Sequence, residues 1–95
     1  MKAPSWFPYG TAPSPEQKKA WQDAMLAMLE GWNSDQVFVY GTAPEIMARQ
    51  DAIMWNVKQF KRAARDTDLK LALMCAEVLK IDKAQIDALW ALIFN

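Results

Sequence analysis

The fold is decided by residues 67–80, which read TDLKLALMCAEVLK. Apolar side chains fill most positions of this stretch, and neither glycine nor proline interrupts it. A surface helix keeps one polar side for water, so a helix that is apolar nearly all round is typical of the centre of a bundle. We therefore expect residues 67–80 to form a buried central helix on which the other helices pack.

The first helix has a clear start signal ahead of that segment. Ser14 suits the N-cap, Pro15 suits the first helical position, and Gln17 completes a Ser-x-x-Gln capping box. Trp21 and Met25 follow at helical spacing, and Gly31 is a plausible C-cap. The pattern predicts a helix over about residues 14–30.

A second helix is expected over residues 43–65. Thr42 precedes it with Glu45 three residues later, which is the spacing of another capping box. Its expected core stripe consists of Met47, Ile53, Met54, Val57 and Phe60.

A fourth helix is expected over residues 82–94. Asp82 and Gln85 match a capping box, and Ile81 and Ile86 have the spacing of a hydrophobic staple. Its expected core face consists of Ile86, Leu89, Trp90 and Ile93. The whole chain, residues 1–95, is therefore predicted to be a single all-α domain, a small bundle of about four helices.

The first thirteen residues have a different character. Prolines at positions 4, 8 and 13 forbid a helix and favour an extended arm. The arm carries three large aromatics, Trp6, Phe7 and Tyr9, which we expect to pack on the chain's own helices or on a neighbouring subunit.

Residues 32–43 leave two interpretations open. Their β-branched and aromatic run at 37–40 suits either a strand or an irregular packed connection. The pentapeptide Tyr-Gly-Thr-Ala-Pro occurs at 9–13 and again at 40–44. It indicates either two similar helix-start loops or two matched loops that contact related ligands.

Composition excludes several classes of function. The chain has 95 residues, no histidine, one cysteine, and 11 basic against 11 acidic side chains. No disulfide framework, histidine-containing triad or cysteine-only zinc site can be built from these residues. We expect a non-enzymatic protein with no cofactor and no metal. With no signal peptide and no apolar run near 20 residues, a cytoplasmic location without a membrane partner is expected.

The balanced charge hides one strongly basic segment. Lys58, Lys61, Arg62 and Arg65, here called the basic ridge, share one side of the second predicted helix with no acid among residues 58–65. The ridge is either an ordinary solvated surface or a site for an anionic ligand. In the second case its arginines would bind phosphate groups.

Other residues could extend an anion site built on the ridge. Lys18 and Lys19 of the first helix could add positive charge. Trp55, together with Tyr9 or Tyr40, could stack on nucleotide bases. An anionic nucleotide is thus one candidate ligand.

Two further classes of partner remain open. Five tryptophans and six methionines in so short a chain are typical of a small helical inhibitor or adaptor that binds another protein. Residues 72–91 also fit the spacing of a helix-turn-helix. Duplex DNA is disfavoured, because Asp87 on the second helix of that pair would repel phosphates.

Two segments resemble a known family. Tyr9 followed by Pro-Ser-Pro-Glu-Gln at 13–17 is the first, and Asp-Ala-Ile-Met-Trp-Asn at 51–56 is the second. Over about residues 7–65 the chain resembles the helical-hairpin family of phage anti-CBASS proteins, which sequester cyclic oligonucleotide signals. The resemblance implies a sponge that acts in the host cytoplasm as a homo-oligomer, with ligand pockets between subunits.

Overall fold

The computed structural model describes Trp6, residues 10–32 and residues 42–94. Four helices make up these parts of the chain: α1 (Pro15–Glu30), α2 (Ala43–Asp66), α3 (Leu69–Leu79) and α4 (Lys83–Phe94). The prediction of an all-α bundle is confirmed. The run at 37–40, which could form a strand, lies outside the described residues.

Helix α1 starts as its sequence predicts. The Gln17 backbone N–H donates to Ser14 Oγ at 3.2 Å, and the Ser14 backbone N–H donates to Gln17 Oε1 at 2.7 Å. These reciprocal bonds satisfy two backbone donors that a helix start would otherwise leave open. At the other end, the backbone N–H of Gly31 bonds to the Ala27 carbonyl, as expected of a C-cap.

The other two predicted capping boxes are wrong. Thr42 is the N-cap of α2 but makes no side-chain capping bond. Asp82 Oδ1 accepts the N–H of Ala84, two residues on, and Gln85 N–H goes to the Asp82 backbone carbonyl instead. In both cases the sequence spacing allows the box, and at α4 a backbone bond takes the N–H that the box would have used.

Two helices end in left-handed residues that are not glycine. Thr67 after α2 has φ 53°, and Lys80 after α3 has φ 59°. The next residues close the turns, since Asp68 N–H bonds to the Ala63 carbonyl and Ile81 N–H bonds to the Ala76 carbonyl. These are Schellman motifs, in which a six-to-one bond satisfies a carbonyl of the last helical turn.

The core lies where all four helices meet. Trp21 of α1 packs edge-to-face on Trp90 of α4, with ring centroids 5.0 Å apart, and Phe94 lies 4.3 Å from Trp90. Phe60 of α2 and the small or aliphatic side chains of α3 complete it. The buried members of α3 and α4 besides the aromatics are Leu69, Ala72, Cys75, Ala76, Leu79 and Ile86.

Side chains from α1 and from Trp32, two residues after its end, bind the last turns of all three other helices. Gln17 Nε2 donates to the Ile93 carbonyl of α4 at 2.6 Å. Gln22 Nε2 donates to the Arg65 carbonyl of α2 at 2.9 Å, and Trp32 Nε1 donates to the Leu79 carbonyl of α3 at 2.7 Å. Carbonyls at a helix C-terminus lack an intrahelical partner, so these bonds stabilise the ends and orient the helices together.

The expectation that α3 is a buried central helix is only partly correct. Its buried side faces the core, but Met74 is 60 % exposed and Val78 is 42 % exposed. The prediction failed because hydropathy alone does not separate a helix buried on all sides from one that leaves apolar residues in water.

The arm is described only in part. Trp6 packs against the core and Pro13 is buried, so the expectation that arm aromatics pack on the chain's own helices is confirmed for Trp6. Phe7 and Tyr9 lie outside the described residues. Gly10 has φ 111°, a conformation that L side chains rarely adopt.

The repeated pentapeptide does not start both helices in the same way. Its first copy ends at Pro13, one residue before the Ser14 cap. Its second copy runs into α2, with Thr42 as the cap and Pro44 in the first turn. The interpretation as two equivalent helix-start loops is therefore wrong.

Candidate binding surface on the second helix

Helix α2 is longer than the core it packs on. Its 24 residues span about 36 Å at the α-helical rise. Its buried residues, Phe60, Ala63 and Ala64, all belong to the C-terminal half. Within residues 43–52 none is buried, so the first turns of α2 project from the bundle.

The predicted core stripe of α2 needs correction for two residues. Ile53 and Val57 pack against the core and Phe60 is buried, as expected. Met47 and Met54, however, are 64 % and 58 % exposed. At 100° per residue these methionines point away from the side on which Phe60 lies, so they belong to the solvent side of the helix.

One continuous strip of side chains runs along that solvent side. Met47, Asp51, Met54, Lys58, Lys61 and Arg65 alternate at spacings of four and three, which places them on one line of the helix surface. Trp55 and Arg62 lie beside the line. We call these eight residues the outer face of α2. All eight are exposed, and Trp55 is 63 % exposed.

The basic ridge forms the C-terminal half of the outer face, but it is partly neutralised. Arg65 Nε lies 3.1 Å from Asp66 Oδ1, and Arg62 Nε lies 3.5 Å from Asp66 Oδ2. The hydrogen bond from Arg65, helped by the charges of both arginines, lowers the pKa of Asp66 below its ordinary value. Lys58 and Lys61 have no ion pair within the described part of the chain.

The lysines expected to extend the ridge have other positions. Lys19 Nζ pairs with Asp23 at 3.2 Å within α1. Lys18 lies one turn before Gln22, the residue that contacts the Arg65 carbonyl at the end of α2. Among the described contacts, none joins either lysine to the ridge. Tyr9 and its alternative Tyr40 both lie outside the described residues.

A groove opens between the C-terminal part of α1 and the middle of α2. It has a volume of about 440 Å³. Its walls are mainly apolar, with one acid and one base: Leu26, Leu29, Glu30, Trp32, Val57 and Lys61. Lys61 therefore borders both this groove and the outer face of α2.

The described residues offer little chemistry for catalysis. Cys75 is 2 % exposed, and burial together with the charge of Asp68 raises the pKa of its thiol. A raised pKa keeps the thiol protonated and weakly nucleophilic. Across residues 10–32 and 42–94, no group of three metal-ligating side chains comes together.

The helices α3 and α4 are connected as in a helix-turn-helix, but the surface of α4 is poorly suited to contacting DNA. Lys80, Ile81 and Asp82 join the two helices. Lys83, the basic residue at the start of α4, lies 3.7 Å from Glu77 Oε2. A recognition helix presents free donors to base edges and phosphates, and an ion-paired lysine is less available for that.

The chain matches no known protein-family model, no curated protein and no solved structure. The resemblance to the phage sponge family therefore stays a prediction. None of the helices in the described ranges is long and apolar enough to cross a membrane.

Two features of this surface differ from what the sequence patterns predict. The projection of α2 could not be seen, because the same 3.6-residue period describes buried and exposed apolar stripes. Asp66, which pairs with the ridge, lies one residue beyond the acid-free segment 58–65. Its spacing of four from Arg62 is the signal that could have revealed the pair.

Proposed function

We propose that this chain is a non-enzymatic binding protein that captures another protein through the outer face of α2. The observation that carries the proposal is the exposure of Met47, Met54 and Trp55 on the side of α2 that faces away from the core. Contiguous exposed apolar side chains mark interaction sites on soluble proteins. Methionine and tryptophan are among the residues enriched at the centres of interfaces.

The charge of the same face indicates what the partner presents. Lys58 and Lys61 are unpaired among the described residues and lie one to two turns beyond Met54. A partner with an apolar groove bordered by carboxylates would complement both halves of the face. An amphipathic helix lying in such a groove is a common recognition mode.

Site-specific photo-crosslinking tests the location of the interface. A photoreactive phenylalanine analogue replaces Met47 in one variant and Ala88, an exposed residue of α4, in the matched control. We expect a covalent adduct with a second protein species from position 47 and none from position 88. Equal labelling from both positions would remove the proposed location.

The protein identified in the adduct is then purified and titrated calorimetrically. Trp55→Ala should weaken its binding about tenfold or more, because large aromatics at an interface centre carry much of the affinity. Leu92→Ala is the control, since Leu92 is 81 % exposed but belongs to α4. Binding that is equally strong with Trp55→Ala contradicts the proposal.

A second candidate is sequestration of an anionic cyclic nucleotide, as the family resemblance implies. Trp55 and Lys58 favour it, because both are exposed and lie three residues apart on one side of α2. An indole that stacks on a base beside an ammonium that binds a phosphate would suit such a ligand. Calorimetric titration with cyclic di- and trinucleotides tests this candidate, and the absence of heat with every one of them would exclude it.

A further inference from the structure

The outer face of α2 carries opposite charges at equal distances on either side of the midpoint of the helix. Because α2 runs from Ala43 to Asp66, its two central residues are Met54 and Trp55, which are also its central exposed apolar residues. Asp51 lies three residues before Met54, and Lys58 lies three residues after Trp55. When a second α2 is laid antiparallel on the first, each Asp51 carboxylate meets an ammonium group.

We propose that two copies of this chain pair through antiparallel α2 helices about a two-fold axis between Met54 and Trp55. The occupant of the exposed helix face is thus a second copy of the chain. The dimer covers the same face that the proposed function assigns to a protein partner. The inference rests on the proposed function only because both use this face. A second copy of the chain therefore competes with the protein partner for the outer face of α2.

Charge complementarity selects the antiparallel arrangement. Around the axis, Asp51 of one copy lies opposite the partner's Lys58, and the symmetry repeats the pair on the other side. In a parallel pair at the same register, Lys58 would face the partner's Lys58, and like charges placed opposite each other repel. In an antiparallel pair, the positive end of each helix dipole also lies beside the negative end of the other, which is favourable.

The apolar contacts agree with the same axis. Met54 and Trp55 meet their own copies at the centre, where an isologous interface places each residue near its equivalent. Met47 lies seven residues before Met54 and Arg62 lies seven residues after Trp55, so the aliphatic stem of the partner's Arg62 would cover Met47. The guanidinium stays at the rim, in water.

Pairing also accounts for the projecting half of α2. None of residues 43–52 is buried and only Ile46 is half-buried, and a helical segment of that length is marginal in water without tertiary packing. A second α2 supplies the packing that this segment otherwise lacks. By mass action, a partner that binds the single chain through this face shifts the dimer toward monomers.

Sedimentation equilibrium of the purified chain, with no partner present, tests the proposal. We expect the wild-type chain to be dimeric at micromolar concentrations. Asp51→Lys and Lys58→Asp should each weaken dimerisation about tenfold or more, since by symmetry each change creates two like-charge contacts. The double variant Asp51→Lys/Lys58→Asp restores both opposite-charge pairs and should recover the wild-type dimerisation constant.

Arg49→Asp is the matched control for a charge change on the projecting half of α2, because Arg49 is exposed but lies away from the outer face. It should leave the dimerisation constant unchanged, and circular dichroism checks that every variant stays helical. A monomeric wild-type chain, an oligomer larger than a dimer, or failure of the double variant to restore pairing would overturn the proposal. A monomer that still gives the specific position-47 adduct would leave the proposed function standing, so the two failures are distinguishable.

Discussion

Gln17 joins the first turn of α1 to the last turn of α4 through one amide group. Its Oε1 accepts the Ser14 backbone N–H at 2.7 Å, and its Nε2 donates to the Ile93 carbonyl at 2.6 Å. The first bond is local and could be predicted from the capping-box spacing. The second spans the bundle and satisfies a carbonyl that α4 itself leaves open.

Gln17→Ala should therefore cost more stability than removal of the cap alone. We expect it to lower the free energy of unfolding by about 2 kcal/mol, because it deletes a capping bond and a tertiary bond. Ser14→Ala, which deletes only the serine's part of the cap, should cost about 1 kcal/mol. Urea denaturation measures both variants. If the two losses are equal, the bond to Ile93 contributes nothing to stability.

Lys80→Gly should stabilise the fold by about 0.5–1 kcal/mol. Lys80 is exposed and takes φ 59°, a left-handed conformation that costs an L residue energy and that glycine adopts freely. Lys80→Ala is the matched control, because it removes the charge but keeps the Cβ, and it should leave stability nearly unchanged. Thermal and urea unfolding of the two variants check the sign. Equal behaviour of glycine and alanine would show that the turn is not strained.

Trp90→Ala should leave the protein close to unfolding. Trp90 is fully buried and contacts both Trp21 and Phe94. Loss of a buried tryptophan costs about 3–5 kcal/mol, a large part of the roughly 5–14 kcal/mol expected for a domain of this size. Leu92→Ala, on the exposed side of the same helix, should change stability by less than about 0.5 kcal/mol. Circular dichroism during urea titration distinguishes these outcomes.

The Asp66 carboxylate should stabilise the folded chain above its own pKa and lose that effect in acid. Hydrogen bonding and the charges of Arg65 and Arg62 lower its native pKa, so the folded state favours the ionised form. Asp66→Asn should thus be less stable than wild type at pH 7. The difference should shrink as the pH falls through the native pKa. Urea midpoints at pH 7 and near pH 2 measure it, and a difference that persists in acid contradicts the ion-pair explanation.

The Cys75 thiol should give stability the opposite dependence on pH. Burial and the Asp68 charge raise its native pKa, so the unfolded chain loses the thiol proton first. The free energy of unfolding should therefore fall as the pH rises above about 8.5, where an unperturbed thiol ionises. Cys75→Ala should show a smaller fall between pH 7 and pH 9.5 in urea titrations. Identical slopes for the two proteins would mean that Cys75 ionises normally in the fold.

Local signals in the sequence were sufficient for the helices and for part of the core. Ser14, Pro15 and Gln17 determine the start of α1, because capping depends only on residues within one turn. Trp21 and Met25 could be assigned to the core for the same reason, since both follow at helical spacing from a reliable start. The positive charge of the ridge was also readable, because it depends only on residue types.

The candidate site depended on information that no local pattern carries. Met47 and Met54 have the same helical spacing as Ile53 and Phe60, so periodicity places each pair on a stripe without saying which stripe meets the core. The structure decides in favour of Ile53 and Phe60, since their side of α2 packs on the other helices. The two methionines therefore became part of an exposed face.

The amino-acid sequence alone is enough to predict the helical class, the start and end of α1, and the concentration of positive charge on α2. These properties arise from hydrogen bonds and side chains within a few residues of one another. The folded structure is needed to see that α2 projects beyond the bundle and that Gln17, Gln22 and Trp32 bind the ends of three other helices. Such relationships depend on how far and in which direction helices overlap, which is set by the packing of the whole core.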